Sequence, residues 1–220
     1  MRRFIKRVGW VVVVAVGVLH VGCAHVPRAV APPAYAWSTF GSVQLDPGHR
    51  AMMVSGYVNQ VEGAIELLAC GPGGKVHESV FVLFAEPADI HAGLLLLGFT
   101  HGEPMAGLGE GPPRGDSLIL DVEWDADGQT VRERAERFVF DFITQRPARH
   151  GAWIFNGSMV EDGYFLARAE ESLIATYWDP WAIINLQSEA GADDERLGVN
   201  RSVVPPRLTP VRMIIRPDSR

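Results

Sequence analysis

The chain gathers its reactive side chains in one short stretch, Cys70-Gly71-Pro72-Gly73-Gly74-Lys75-Val76-His77-Glu78-Ser79. A thiolate and an imidazole are ligands that zinc and copper favour, and Glu78 could complete the set with them. Glu66, or His91 or His101 from further along, are the other donors such a site could recruit. The same Cys70 and His77 could act as nucleophile and base, although no third member or oxyanion hole is identifiable beside them. Lys75 next to a glycine-rich loop could hold an anion. The loop is no P-loop, because it lacks the Gly-Lys-Ser/Thr ending that opens a helix. The plainest reading is structural: the polar side chains, Lys75 and Ser79 included, hydrogen-bond to fix the turn. That reading is preferred, with zinc or copper held by Cys70, His77 and Glu78 as the alternative.

These side chains need elements to position them. Two strands joined by Gly71 to Val76 would form a hairpin with Cys70 directly opposite His77. Their Cβ atoms would then lie about 5 Å apart. Glu66, Leu68 and Ser79 would share that face, with Glu78 on the other, and a one-residue slip would exchange the two faces. His91 falls in a helix beyond the far end of the second strand, so it is expected away from His77, as a separate core histidine with a hydrogen-bonded ring.

The rest of the chain is built from short apolar runs between turn residues. Residues 52–58, 64–70, 77–85, 117–124, 130–136, 152–156, 164–168, 173–178 and 211–215 read as strands. Asp127-Gly128 between two alternating runs marks a hairpin. A helix is expected over 88–97, with Pro87 in its first turn and Gly98 at its stop. Its interior is apolar nearly all round, which predicts a buried helix. The expected class is α+β: a single strand-rich domain with one buried helix packed on a mostly antiparallel or mixed sheet. Asp121, Glu123, Asp125 and Asp127 lack the calcium-loop pattern, and no Gly-x-Ser-x-Gly, His-Glu-x-x-His or dinucleotide fingerprint occurs. Trp153, Trp178, Trp181, Tyr164 and Tyr177 are expected mainly in the core.

Several stretches carry a family resemblance. Cys70 to Ser79, then Ile90-His91-Ala92 through Gly98, resemble the YdjY-type domain family, a group of bacterial proteins many of which are exported. The likeness continues through Trp153-Ile154-Phe155-Asn156-Gly157-Ser158, Glu171 to Ile174, and Pro205-Pro206 to Pro217. It spans almost the whole domain in order. It implies a domain boundary more than an activity. The ferredoxin-like character described for some relatives would need about four cysteine ligands, and the chain has two Cys.

The N-terminus carries an address. Arg2, Arg3, Lys6 and Arg7 precede an uncharged apolar run from Val8 to Leu19, the pattern of a secretory signal over residues 1–22. The run is short of the roughly 20 residues of a spanning helix. It ends at Gly22-Cys23, which resembles a bacterial lipobox with His20 in the place usually held by Leu. Cys23 is therefore the expected lipidation site, followed by a Pro/Ala-rich tether to residue 42 and a domain over 43–218. Without the four signal-peptide charges, the 20 Lys and Arg fall to 16 against 26 Asp and Glu, a net charge of −10. Such an acidic domain is a poor partner for nucleic acid. The expectation is a protein of the cell envelope, on the periplasmic or outer side, held to its membrane through Cys23. It would serve in binding or structure rather than catalysis, with no cofactor unless zinc or copper binds.

Overall fold

The computed structural model describes residues 34–149, 151 and 153–218. The expected export signal, the expected lipidation site Cys23 and the expected tether as far as residue 33 lie outside the described residues.

Eight strands carry the architecture: β1 (Ala51–Val58), β2 (Leu67–Cys70), β3 (Ser79–Leu83), β4 (Asp116–Ala126), β5 (Trp153–Phe155), β6 (Ser172–Ala175), β7 (Ile184–Leu186) and β8 (Pro210–Pro217). They pair in the order β1-β8-β4-β5-β7-β6-β2-β3, and β3 then pairs back onto β1. The sheet is thus a closed barrel. This corrects the expected α+β class: helix amounts to about 14%, and the protein is mostly β.

The strands supply the reason. Alternate residues such as Leu118, Leu120 and Val122 on β4, or Val211, Met213 and Ile215 on β8, face one common core to which all eight strands contribute. Curling the sheet shut surrounds that core and removes both edges. Closure depends on Gly56, where a Cβ would meet the Val82 carbonyl oxygen at 2.2 Å. Phe81 packs edge-on against Phe138 at 5.3 Å between ring centres. Truncating either ring would cost about 3–5 kcal/mol.

The outward face of β4 explains its acidic residues. Asp121 pairs with Arg216 at 2.8 Å, and Glu123 with Arg132 at 2.6 Å and Arg212 at 3.4 Å. Asp125 accepts from Thr130 on the next strand, Gln129–Arg134, across the expected Asp127-Gly128 turn. These carboxylates form a cross-strand ladder.

Helix α1 (Pro87–Leu96) forms where expected but buries one face only. Ile90, Gly93 and Leu94 pack inward, whereas Leu95 and Leu96 are exposed. Its apolar composition therefore overstated its burial. A hairpin of Ser38–Phe40 and Val43–Asp46 holds it: Asp89 accepts from the Ser42 amide and hydroxyl, both at 2.8 Å. At the other end Arg50 donates to the Leu97 and Gly98 carbonyls at 2.9 and 2.8 Å, satisfying groups a helix terminus leaves open. A second, shorter helix, α2 (Leu166–Glu170), replaces most of the strand expected over 164–168.

The hairpin expected at Cys70 is absent. β2 and β3 are parallel neighbours, with Leu67 beside Ser79 and Cys70 beside Val82. A four-residue strand spans only about 10 Å, so the connection through residues 71–78 can return to its start without a long crossover. One turn of 3₁₀ helix, Val76–Glu78, completes the return and takes His77 out of strand geometry.

Candidate functional site

The parallel connection takes the expected reactive cluster apart. Cys70 is fully buried with Leu67, Val82, Ala175 and Ala182, and Tyr57 against them. Burial pushes its thiol up, and the Glu171 carboxylate adds to the effect, so Cys70 stays protonated at neutral pH. The His77 side chain is 74% exposed, with its Nε2 3.4 Å from Glu78. Cys70 and His77 sit on opposite ends of the connection, and the cross-strand pair expected from the hairpin does not form.

The other polar residues of the stretch serve the turn itself. Lys75 Nζ lies 2.8 Å from Glu66 and 4.0 Å from Glu78. Burial pulls Lys75 down, but the hydrogen bond and charge of Glu66 outweigh it and hold the ammonium above its usual range. Burial, followed by the nearby Glu66 carboxylate, raises Glu78. Ser79, fully buried, donates to the Lys75 carbonyl at 2.8 Å. The glycine loop does cradle an anion, but the anion belongs to the chain: the Glu171 carboxylate accepts the Gly73 amide at 2.7 Å. A Cβ at Gly71 would lie 2.2 Å from the same carboxylate.

A different pair of residues lies in an open cleft. His91, midway along α1, and His101, beyond the helix end, have ring centres 5.5 Å apart. Phe155 and Phe165 pack on His91 at 5.5 and 5.3 Å. The cleft encloses about 480 Å³ and is lined by these histidines with Ala88, Pro104, Met159 and Phe165. Burial, then the neighbouring His101, lowers the His91 pKa, so its ring is neutral at pH 7.

The fold places both rings firmly. Past the Gly98 stop the chain turns back along α1. Asp116 accepts from the Thr100 amide at 2.9 Å, and the Asp116 amide donates to the Thr100 carbonyl at 3.0 Å. Gly102 donates to the Phe155 carbonyl at 3.3 Å. His101 then leans on Gly157, where a Cβ would lie 2.6 Å from the His101 Cβ. A buried amide network ties the end of β5 to the start of β7. Asn185 donates to Asn156 and to the Asp179 carbonyl, both at 2.9 Å, and Asn156 donates to Ala182 at 2.9 Å. Ser158 is spent in the same frame, donating to the Trp181 carbonyl at 2.5 Å and accepting from the Ala167 amide at 3.0 Å. It offers no free hydroxyl for attack on a ligand.

Comparison with known families meets this fold at its ends and its middle. The YdjY domain model matches residues 43–216, which reaches into all eight barrel strands and includes both cleft histidines. The chain belongs to the YdjY domain family. The function of that family is uncharacterised. No curated protein and no solved structure matches the chain.

Within this YdjY domain, no group of three or more His, Cys, Asp and Glu side chains among the described residues could hold a metal ion by itself. His91 departs from the expected hydrogen-bonded core histidine. It is half-buried, makes ring contacts, and neither ring nitrogen has a hydrogen-bond partner among the described residues. Sequence reasoning named His91 and His101 only as separate, distant donors. The signal that could have joined them is the Gly98 stop. Only five residues of helix follow His91, roughly 7 Å, and the five residues to His101 can retrace that length.

Proposed function

We propose that the protein is an exported, lipid-anchored component of the bacterial cell envelope whose YdjY domain binds a ligand without transforming it. The binding place is the cleft between α1 and the segment 157–160. The observation that carries this reading is the open pair of histidines, His91 and His101, set in an otherwise apolar and aromatic wall. Such a cleft suits a ligand with an apolar body and one group that meets an imidazole. The committed Ser158 hydroxyl and the protonated, buried Cys70 favour binding over covalent chemistry.

The anchor rests on the sequence: a basic start, a short apolar run and Cys23 after Gly22. Palmitate labelling of cells is expected to mark the wild-type protein and to vanish with Cys23→Ser. Label that persists in that variant excludes Cys23 as the anchor. The cleft is tested with an apolar fluorescent probe, anilinonaphthalene sulfonate, on the purified protein. Ala88→Trp, an exposed position on the cleft wall, should abolish probe binding with the unfolding temperature unchanged. Equal probe binding by wild type and variant overturns the assignment of the cleft.

A further inference from the structure

We infer that His91 and His101 form a two-imidazole copper site, with Met159 lining the same cleft. The inference rests on the cleft being a binding place and names its occupant. A cation about 2 Å from one nitrogen of each of two rings holds the ring centres about 5 Å apart at a tetrahedral angle. The observed separation is 5.5 Å, with the rings inclined at 41°.

The hydrogen bonds point the same way. His101 Nδ1 lies 2.9 Å from the Gly102 carbonyl. A carbonyl only accepts, so Nδ1 carries the hydrogen and Nε2 keeps its lone pair. A backbone carbonyl that fixes the tautomer of an imidazole is the usual support behind a metal-binding histidine. Neither His91 ring nitrogen has a hydrogen-bond partner among the described residues, and the ring is half-buried between Phe155, Phe165 and His101. A neutral imidazole that no protein hydrogen bond engages keeps a nitrogen lone pair for a cation.

Glycine at position 157 fits this account, since a side chain there would collide with His101 and displace it from this position. Among the described residues, no Lys or Arg lines the cleft to repel a cation. Two imidazoles and a thioether suit copper far better than magnesium or calcium, which require oxygen ligands. With two ring nitrogens from the chain, positions remain open for a further ligand, so the cation would be the group that meets the ligand proposed for the cleft.

The test adds copper(II) to the full-length protein in detergent and follows binding by calorimetry and electron paramagnetic resonance. One copper per chain with a two-imidazole nitrogen signature is expected. His91→Gln and His101→Gln should each weaken binding by about tenfold or more, whereas His77→Gln, an exposed histidine elsewhere, should leave it unchanged. Unfolding temperatures of the apo variants show whether each is folded. Copper binding that survives both cleft variants, or that is lost with His77→Gln, overturns the inference. So does the absence of binding in wild type. If the fluorescent probe still enters the cleft in that case, the binding reading stands and only the copper is wrong.

Discussion

The Glu171 carboxylate accepts the Gly73 amide at 2.7 Å, across 98 positions of sequence. One side chain from the residue between α2 and β6 thereby fills the glycine loop after β2. Glu171 itself sits in the left-handed region, at φ 50°. That conformation costs a non-glycine residue about 1 kcal/mol and is held by the contacts around it.

Glu171→Ala should therefore destabilise the protein by about 1–2 kcal/mol through the lost charged hydrogen bond. Glu171→Gly loses the same bond but relaxes the backbone, and should cost less. Urea unfolding measures both. An Ala variant as stable as wild type would show that the carboxylate does not hold the loop.

Cys70 should be inert in the native protein. In a Cys23→Ser background it is the remaining thiol, buried and held protonated. Ellman's reagent at pH 8 is expected to react with it only after unfolding in guanidinium. Rapid reaction in native buffer would contradict its placement beside Val82. Cys70→Ser, which leaves a hydroxyl in an apolar cluster, should cost about 1–3 kcal/mol.

Asp141 gives a pH dependence with a defined sign. The Arg196 guanidinium, 2.8 Å away, lowers the Asp141 carboxyl to about 2, with help from the Thr144 and Ile143 amides. An unfolded Asp titrates near 3.9. The folded value is the lower one, so the pair's contribution is fully present above about pH 4. It is lost as the pH falls through 2. Arg196 is a quarter exposed, which screens the pair and leaves about 1–2 kcal/mol. Asp141→Asn keeps an acceptor for both amides but loses the charge. Its deficit in urea unfolding should be full at pH 7 and shrink towards pH 2. A deficit independent of pH would assign the effect to packing instead.

Gly157 has φ 87°, and its missing Cβ makes room for His101. Gly157→Ala should lower stability by about 1–3 kcal/mol. It should also shift the imidazole resonances of His101 and His91 in the proton–nitrogen spectrum. Unchanged resonances in a folded variant would show that His101 does not depend on the glycine.

Much of the local structure was legible along the chain. Alternation marked β1, β4 and β8, Asp127-Gly128 marked the turn after β4, and Pro87 with Gly98 bracketed α1. Each of these signals is local, because side-chain period and turn chemistry act over a few residues. The β2–β3 connection misled because a short glycine loop has no local mark that separates a hairpin from a tight parallel return. The difference is made by the partners, Leu67 against Ser79 and Cys70 against Val82.

The sequence by itself determined that the domain is strand-rich, that its sheets alternate buried and polar residues, and which family it belongs to. Tertiary structure alone decided that the sheet closes, through Gly56 to Val58 on β1 meeting Phe81 to Leu83 on β3. Closure also settled the chemistry. It buried Cys70, turned His77 outward, and brought His91 and His101 to one cleft. Residue type and spacing state what a side chain can do, but which side chains meet is fixed by long-range packing around a shared core.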